Sequence, residues 1–363
     1  MTIHRPLAAA LACLILPPTI ARAQPAGEDD PLTIAGVNDE VSWSLSDLTL
    51  RSISAYWEDD GAYVNVFNNE DRYYTSGQGI ELSFDPHFTD EFAAKLAPAE
   101  DWTDPRFGLG LAIKQHIYTG IEITDPNPPL DDHPYGGYLY FAFSFQRAQT
   151  NEDNTGKHDH FELDLGVVGE RSQAEAVQVF IHNLFPDNDT PRGWNNQLAN
   201  ELAVNFSYER TWRTRKGSVG GLEFDMLPAA GFDVGNVFIR ARGRTTFRVG
   251  KSLPDNFGPA RFLGRRDHTA AAIADPEQDW SIYGYASLGV NVVAHNIFLA
   301  GNTFATSRSV DIEPLVGTIT VGLLARYRCF EFGWAQTWQS VEFETQPNGQ
   351  TWGAWVANLV FEF

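Results

Sequence analysis

Cysteine is almost missing from this chain. Cys13 and Cys329 are the only two in 363 residues, and Cys13 falls inside an N-terminal apolar run. One cysteine in the body of the chain excludes a disulfide framework and a cysteine-based metal site. Its frame, Arg326-Tyr327-Arg328-Cys329-Phe330-Glu331-Phe332, reads as a buried or lipid-facing strand residue, not a nucleophile. Long hydrophobic runs are missing as well. Beyond the N-terminus no stretch reaches the roughly 18 apolar residues of a helical span, and mean hydropathy is -0.27. A helical membrane bundle is therefore excluded, but a membrane β-barrel is not, because its strands alternate apolar and polar residues and dilute the average. Cations are scarce: 26 Lys and Arg stand against 47 Asp and Glu, a net charge of -21. Such a chain repels phosphate backbones, so no nucleic-acid partner is expected. The chain has no P-loop, no HExxH pair and no GxSxG elbow, which removes support for nucleotide binding, zinc proteolysis and ordinary serine hydrolysis.

What is present begins with a leader. His4 and Arg5 precede the apolar run Leu7 to Leu16, and Ala21-Arg22-Ala23 gives a small-x-small cleavage pattern before Gln24. Residues 1–23 thus read as a secretory signal. An acylated Cys13 is the weaker alternative, since it would cut inside the apolar run. Residues 24–50 are acidic and without clear period, a lead-in. From 51 to 363, segments of about ten residues alternate at period two. Ile80, Leu82 and Phe84 alternate with Gly79, Glu81 and Ser83; Phe161, Leu163, Leu165 and Val167 alternate with His160, Glu162, Asp164 and Gly166. Arg240, Arg242 and Arg244 share one face of another segment, and the last one sets Trp355, Ala357, Leu359, Phe361 and Phe363 on one face. Charges of both signs on the polar face, with an apolar face nearly free of charge, suit lipid outside and a polar lumen inside. The aromatic C-terminus resembles the signal read by the β-barrel assembly machinery. The expectation is an all-β, 12-stranded antiparallel transmembrane barrel with strands beginning near 51, 77, 107, 137, 157, 200, 217, 235, 280, 312, 330 and 350. The loop 251–279 is rich in Pro, Gly and Asp.

One segment breaks the alternation. Residues 172–184 read as a helix, with Ser172 and Glu175 as a capping box and Val177, Ile181 and Leu184 as an apolar stripe. Gln178 and His182 are four apart and share a face. An imidazole can take a proton from water near neutrality, although a solvated surface histidine is the plainer reading of His182 alone. Glu58-Asp59-Asp60 offers carboxylates to a hard cation; alone, Asp59-Asp60-Gly61 reads as a turn. Thr75 and Ser76 offer hydroxyls within Asp71-Arg72-Tyr73-Tyr74-Thr75-Ser76-Gly77, with no local base to activate a serine. The rigid Asp132-His133-Pro134-Tyr135-Gly136-Gly137 and the stretch Gly193-Trp194-Asn195-Asn196-Gln197-Leu198, followed by Glu201, complete the set.

In their order and spacing these stretches resemble the lipid A 3'-O-deacylase family of outer-membrane barrels, the LpxR type. The matching pieces are Glu58-Asp59-Asp60, DRYYTSG at 71–77, HPYGGYLY at 133–140, LDLGVVGE at 163–170, QVFIH at 178–182, GWNNQLANE at 193–201 and VVAHNIFLAGNTF at 292–304. The resemblance runs from about residue 50 to the C-terminus. It implies a twelve-stranded barrel in the outer membrane that uses Ca2+ to remove the 3'-linked acyloxyacyl chain from lipid A in lipopolysaccharide. It also implies His182 as the catalytic base with Gln178 one turn before it, Thr75 and Ser76 as hydroxyls at the site, and Asp59 and Asp60 at the Ca2+. Asp59 stands where the family carries Asn. The acidic residue that follows the histidine is open among Asp187, Asp189 and Glu201, with Glu201 taken as a further metal ligand. His133 replaces a common Arg and Gly136 a usual Ala. A monomer is expected. The competing readings are an outer-membrane phospholipase with a serine nucleophile, and a non-enzymatic pore or adhesin.

Overall fold

The computed structural model describes residues 48–61, 64–66, 72–87, 105–184, 189–258 and 279–361. The signal at 1–23, Cys13, most of the lead-in, Asp71, Asp187 and Phe363 lie outside the described residues.

The strands are β1 (Leu48–Asp59), β2 (Tyr73–Pro86), β3 (Arg106–Thr119), β4 (Gly136–Thr150), β5 (Gly156–Val168), β6 (Glu201–Arg213), β7 (Gly217–Val219), β8 (Leu222–Gly235), β9 (Phe238–Lys251), β10 (Trp280–Asn296), β11 (Leu315–Tyr327), β12 (Phe330–Gln339) and β13 (Gln350–Val360). The described pairings are antiparallel, and the sheet closes through β1–β13 and β6–β8. Short β7 pairs with β8 outside the closed ring. Twelve strands therefore make the wall, as the alternation predicts. The wall begins at Leu48, inside the expected lead-in. The strand expected at 217 is the correction: Gly220 and Gly221 both take positive φ (60° and 78°) and turn Val219 back onto Leu222, so 217–219 is one arm of a tight hairpin and β8 enters the wall. Cys329 is buried in the turn between β11 and β12, not within a strand.

The pleat sorts side chains as expected. On β4 and β5, Phe141, Phe143, Leu163 and Leu165 are exposed, while Glu162 and Asp164 are buried inside. The interior charges pair across strands: Lys114 Nζ lies 3.2 Å from Glu162, Arg244 2.9 Å from Glu209 and Arg242 3.2 Å from Asp233, and Arg240 also bonds Asp233. Arg248, fully buried, grips Asp225 through two bonds of 2.8 and 2.5 Å. Buried charges need such partners.

One end of the lumen is packed with rings: Tyr74, Tyr118, Tyr138, Tyr140, Phe238, Phe298 and Trp352 belong to one buried cluster. Phe298 reaches it from α2 (Ile297–Ala300), a turn of helix capped by Asn296 Oδ1, and stacks on Tyr118 at 4.0 Å. The barrel ends Leu48 and Val360 share the opposite rim with the β4–β5 turn. A chain inserted from the periplasm keeps that rim there, so the ring-filled end faces outward.

Candidate functional site

A second helix, α1 (Ala174–Leu184), lies between β5 and β6 at the outer rim and packs against the outside of the wall. Gly137, early on β4, makes room for it. A Cβ at that position would collide with Ser172 Oγ and Ala174 Cβ. Gln115, on the lipid-facing side of β3, donates from Nε2 to the Ser172 carbonyl at 2.6 Å. Ile117, also outward-pointing, is fully buried with Tyr135, Ala174 and Trp194. The capping box does not form: Ser172 N–H goes to Gly169 O (2.9 Å), and Ser172 Oγ bonds Gly169 O at 2.6 Å. A 3-10 turn (Glu170–Ser172) leads in, and Gln173 takes a left-handed φ of 60° before the helix starts.

The helix turns its polar side inward. Ala174, Gln178 and His182 are its buried residues, whereas Phe180 is 62% exposed and Leu184 58%. The expected stripe is thus only half right: Val177 and Ile181 are half-buried and Leu184 faces out. In water this arrangement would be upside down. Beside a barrel wall the surrounding solvent is hydrocarbon, so the apolar side belongs outside.

Next to α1, which packs on β3 and β4, the lipid-facing wall carries polar residues on β1, β2 and β3. Asp59 on β1 pairs with Ser76 on β2, and Gln78 pairs with Gln115 on β3. A chain of bonds links Ser76, Gln78 and Gln115 to the 3-10 turn that leads into the helix: Ser76 Oγ to Gln78 Oε1 (3.1 Å), Gln78 Nε2 to Gln115 Oε1 (2.5 Å), and Gln115 to Ser172 O. Thr75, at a β-bulge, bonds Thr119 Oγ1 at 2.7 Å. Polar groups facing hydrocarbon are costly unless covered and paired, so this seam marks a place built for something other than stability.

His182 Nδ1 lies 2.5 Å from the main-chain carbonyl of Asp189. A carbonyl only accepts, so Nδ1 carries the proton and Nε2 carries the lone pair. Of the three acids competing to follow the histidine, Asp189 thus acts through its backbone. Gln178 Oε1 accepts from the indole N–H of Trp194 at 2.9 Å. An indole only donates, which fixes the amide with its carbonyl toward Trp194 and its NH2 the other way. Trp194 is 2% exposed and meets Tyr135 edge-to-face at 5.3 Å.

Two expected participants stand apart. Glu201 opens β6 and points into the barrel interior, on the other side of the wall from Asp59 and several strands away. Its carboxylate accepts from Asn236 Nδ2 (2.8 Å), Asn302 Nδ2 (3.1 Å) and the N–H groups of Thr303 (3.0 Å) and Phe304 (3.2 Å). It ties the loop after α2 to the wall and does not join Asp59 and Asp60. His133 lies inside the lumen, stacked on Tyr118 (5.8 Å, 4°) and near Phe343. Asp60 is buried and accepts Arg72 N–H at 2.6 Å, closing the β1–β2 loop, while Asp59 Oδ1 accepts Gly61 N–H at 2.7 Å. Gln78 and Gln115 were not singled out by sequence, and Trp194 and Gly137 stood within the quoted stretches without a role of their own. The available signal was Gln at positions 78 and 115, where alternation calls for an apolar side chain.

The donors on this face are the Asp59 carboxylate and the hydroxyls of Thr75 and Ser76, hard oxygens of the kind that Ca2+ takes. Among the described residues no group of three His, Cys, Asp or Glu gathers as a metal cage. A cation here would complete its shell with water and substrate oxygens.

Comparison with known proteins agrees with this architecture. The structure of LpxR from Salmonella typhimurium superposes with a TM-score of 0.67 at 17% identity, covering 85% of this chain and all of that one. The β domain of the Bordetella autotransporter BrkA matches at a TM-score of 0.46 and 9% identity, over 86% of this chain and 99% of that one. Among curated proteins, none matches by sequence. The family described as outer membrane protein LpxR matches residues 8–361. A twelve-stranded wall, an outward helix and a family match over nearly the whole chain place the protein in the outer membrane, and the chain belongs to the LpxR family.

Proposed function

We propose that this protein is a Ca2+-dependent lipid A deacylase that hydrolyses the 3'-linked acyloxyacyl ester, with His182 as general base. The observation that carries this reading is the Nδ1 bond from His182 to the Asp189 carbonyl, which puts the proton on Nδ1 and so sets the tautomer of an imidazole on the buried side of α1. Its place outside the barrel at the outer rim is where an outer-leaflet lipid arrives without leaving the membrane.

The residues then have distinct tasks. His182 Nε2 takes a proton from water as the oxygen attacks the ester carbonyl, and the same imidazolium returns the proton to the departing sugar oxygen. Gln178, held by Trp194, turns its NH2 toward the ester oxygen, where charge develops. Asp59, Thr75 and Ser76 would hold Ca2+, which when bound supplies a Lewis acid for the ester carbonyl. Phe180 and Leu184 face the acyl chains and help to keep bulk water out. A serine nucleophile has less support, since the Ser76 hydroxyl donates to Gln78 and the Thr75 hydroxyl shares a hydrogen bond with that of Thr119. An open pore is also disfavoured: twelve strands are fewer than the roughly 16 of a porin, and rings fill the lumen.

The test uses purified protein in mixed micelles with lipid A. Deacylation is expected to stop on chelation by EGTA and to return with added Ca2+. Undiminished release of acyl chains in EGTA contradicts the metal assignment. No release under any condition contradicts the activity.

A further inference from the structure

The lipid-facing surface of β4, β5 and β6 is organised in rows by its register. From the outer rim downward these rows are Leu139–Val167–Leu202, Phe141–Leu165–Val204, Phe143–Leu163–Phe206 and Phe145–Phe161–Tyr208. Each row descends about 5 Å at the usual strand rise and tilt. The apolar rows thus account for most of the roughly 25 Å hydrocarbon band. The next two rows change character together. They are Arg147–Asp159–Arg210 and Gln149–Lys157–Trp212.

Asp159 is fully buried between the two arginines. Arg147 reaches it through Nε (2.9 Å) and Nη2 (2.8 Å), Arg210 through Nε (2.6 Å) and Nη2 (2.7 Å), and Tyr208 adds its hydroxyl at 2.8 Å. The arginine side chains remain 16% and 26% exposed. The rows carry three cations and one carboxylate, in a chain whose net charge is -21. A single carboxylate shared by two guanidinium groups holds both in fixed orientation on the membrane side of the wall. Beside them a cavity of about 350 Å³ opens at the β4–β5 turn, lined by Gln149, Asn151, Lys157, Trp212 and Arg213 among others. Trp212 sits at the level where indoles favour the membrane interface.

We propose that this patch binds an anionic glycerophospholipid of the periplasmic leaflet. Arg147, Arg210 and Lys157 would hold its phosphate, its acyl chains would run up the four apolar rows, and its glycerol headgroup would enter the cavity. Guanidinium forks suit phosphate oxygens, and basic patches at this depth recognise anionic headgroups. The location, at the rim opposite α1, separates this site from the proposed site of hydrolysis.

Native mass spectrometry of the full chain tests it, with protein released from micelles holding equal amounts of phosphatidylglycerol and phosphatidylethanolamine. One phosphatidylglycerol per barrel is expected to remain in preference to phosphatidylethanolamine. Each unit of net positive charge removed is expected to lower that preference about fivefold. K157Q removes one unit, and R147Q/D159N/R210Q also removes one while leaving no buried carboxylate unpaired. Heat-modifiable mobility on gels confirms folding, and K157Q carries the test alone if the triple variant fails to fold. Equal retention of the two lipids by the natural chain, or an unchanged preference in the folded variants, overturns the site.

Discussion

At the scale of single residues, proton location follows from what each partner can accept. The Asp189 carbonyl dictates the tautomer of His182, and the Trp194 indole dictates the orientation of Gln178. Trp194→Phe keeps most of the ring packing on Tyr135 and removes only the N–H. One hydrogen bond is worth about 1 kcal/mol, so deacylation by that variant is expected to fall roughly fivefold in kcat with the barrel still heat-modifiable; an unchanged kcat would show that Gln178 needs no anchor. Glu201 makes the opposite case. Its carboxylate is engaged by two amide side chains and two N–H groups inside the barrel. Glu201→Gln is therefore expected to leave the Ca2+ concentration for half-maximal activity unchanged, while Asp59→Ala raises it at least tenfold. A tenfold rise in the Glu201 variant would restore that residue to the metal site. The sequence held the means to separate the two, because Leu202 and Val204 take the lipid side of β6 and leave Glu201 inside, but the resemblance assigns the residue without regard to its face.

At the scale of the element, α1 is held by a glycine. The 3-10 turn before it and its first residue, Ala174, sit this close to the wall because position 137 has no Cβ. Overpacking of this kind costs about 1–3 kcal/mol, more than a short helix outside the barrel readily absorbs. Gly137→Ala is thus expected to loosen α1 without melting the wall: trypsin should cut faster at exposed Arg171, deacylation should drop at least tenfold, and gel mobility of the folded barrel should hold. Unchanged proteolysis and activity would mean that the helix can shift without consequence. The position of the helix was legible from the switch in period at 172–184, and the shared face of Gln178 and His182 from their spacing. Which face meets the wall was not. The usual rule points apolar residues inward, and here hydrocarbon outside the barrel reverses it, so Phe180 and Leu184 face out. The start of the helix was missed for a local reason, the left-handed Gln173 and the 3-10 turn before it.

At the scale of the molecule, twelve strands and their faces followed from alternation alone, since a strand with lipid on one side and charge on the other admits one orientation. Arg240, Arg242 and Arg244 read as a lumen face and do meet Asp233 and Glu209 across the strands. The sheet closure was not legible in detail where two glycines fold 217–219 back on β8. The fold sets His182 on a helix packed outside the wall against β3 and β4, with a polar seam running from β1 to β3 on the same face, where a lipid substrate need not cross the wall. That claim is tested most directly by mass spectrometry of lipid A from Gram-negative cells producing either the natural chain or His182→Gln, with Ca2+ supplied. The natural chain is expected to yield lipid A lighter by one 3'-acyloxyacyl unit, and the folded variant to leave lipid A intact. Equal removal by both would contradict the role of His182, and unaltered lipid A in both would contradict the activity itself.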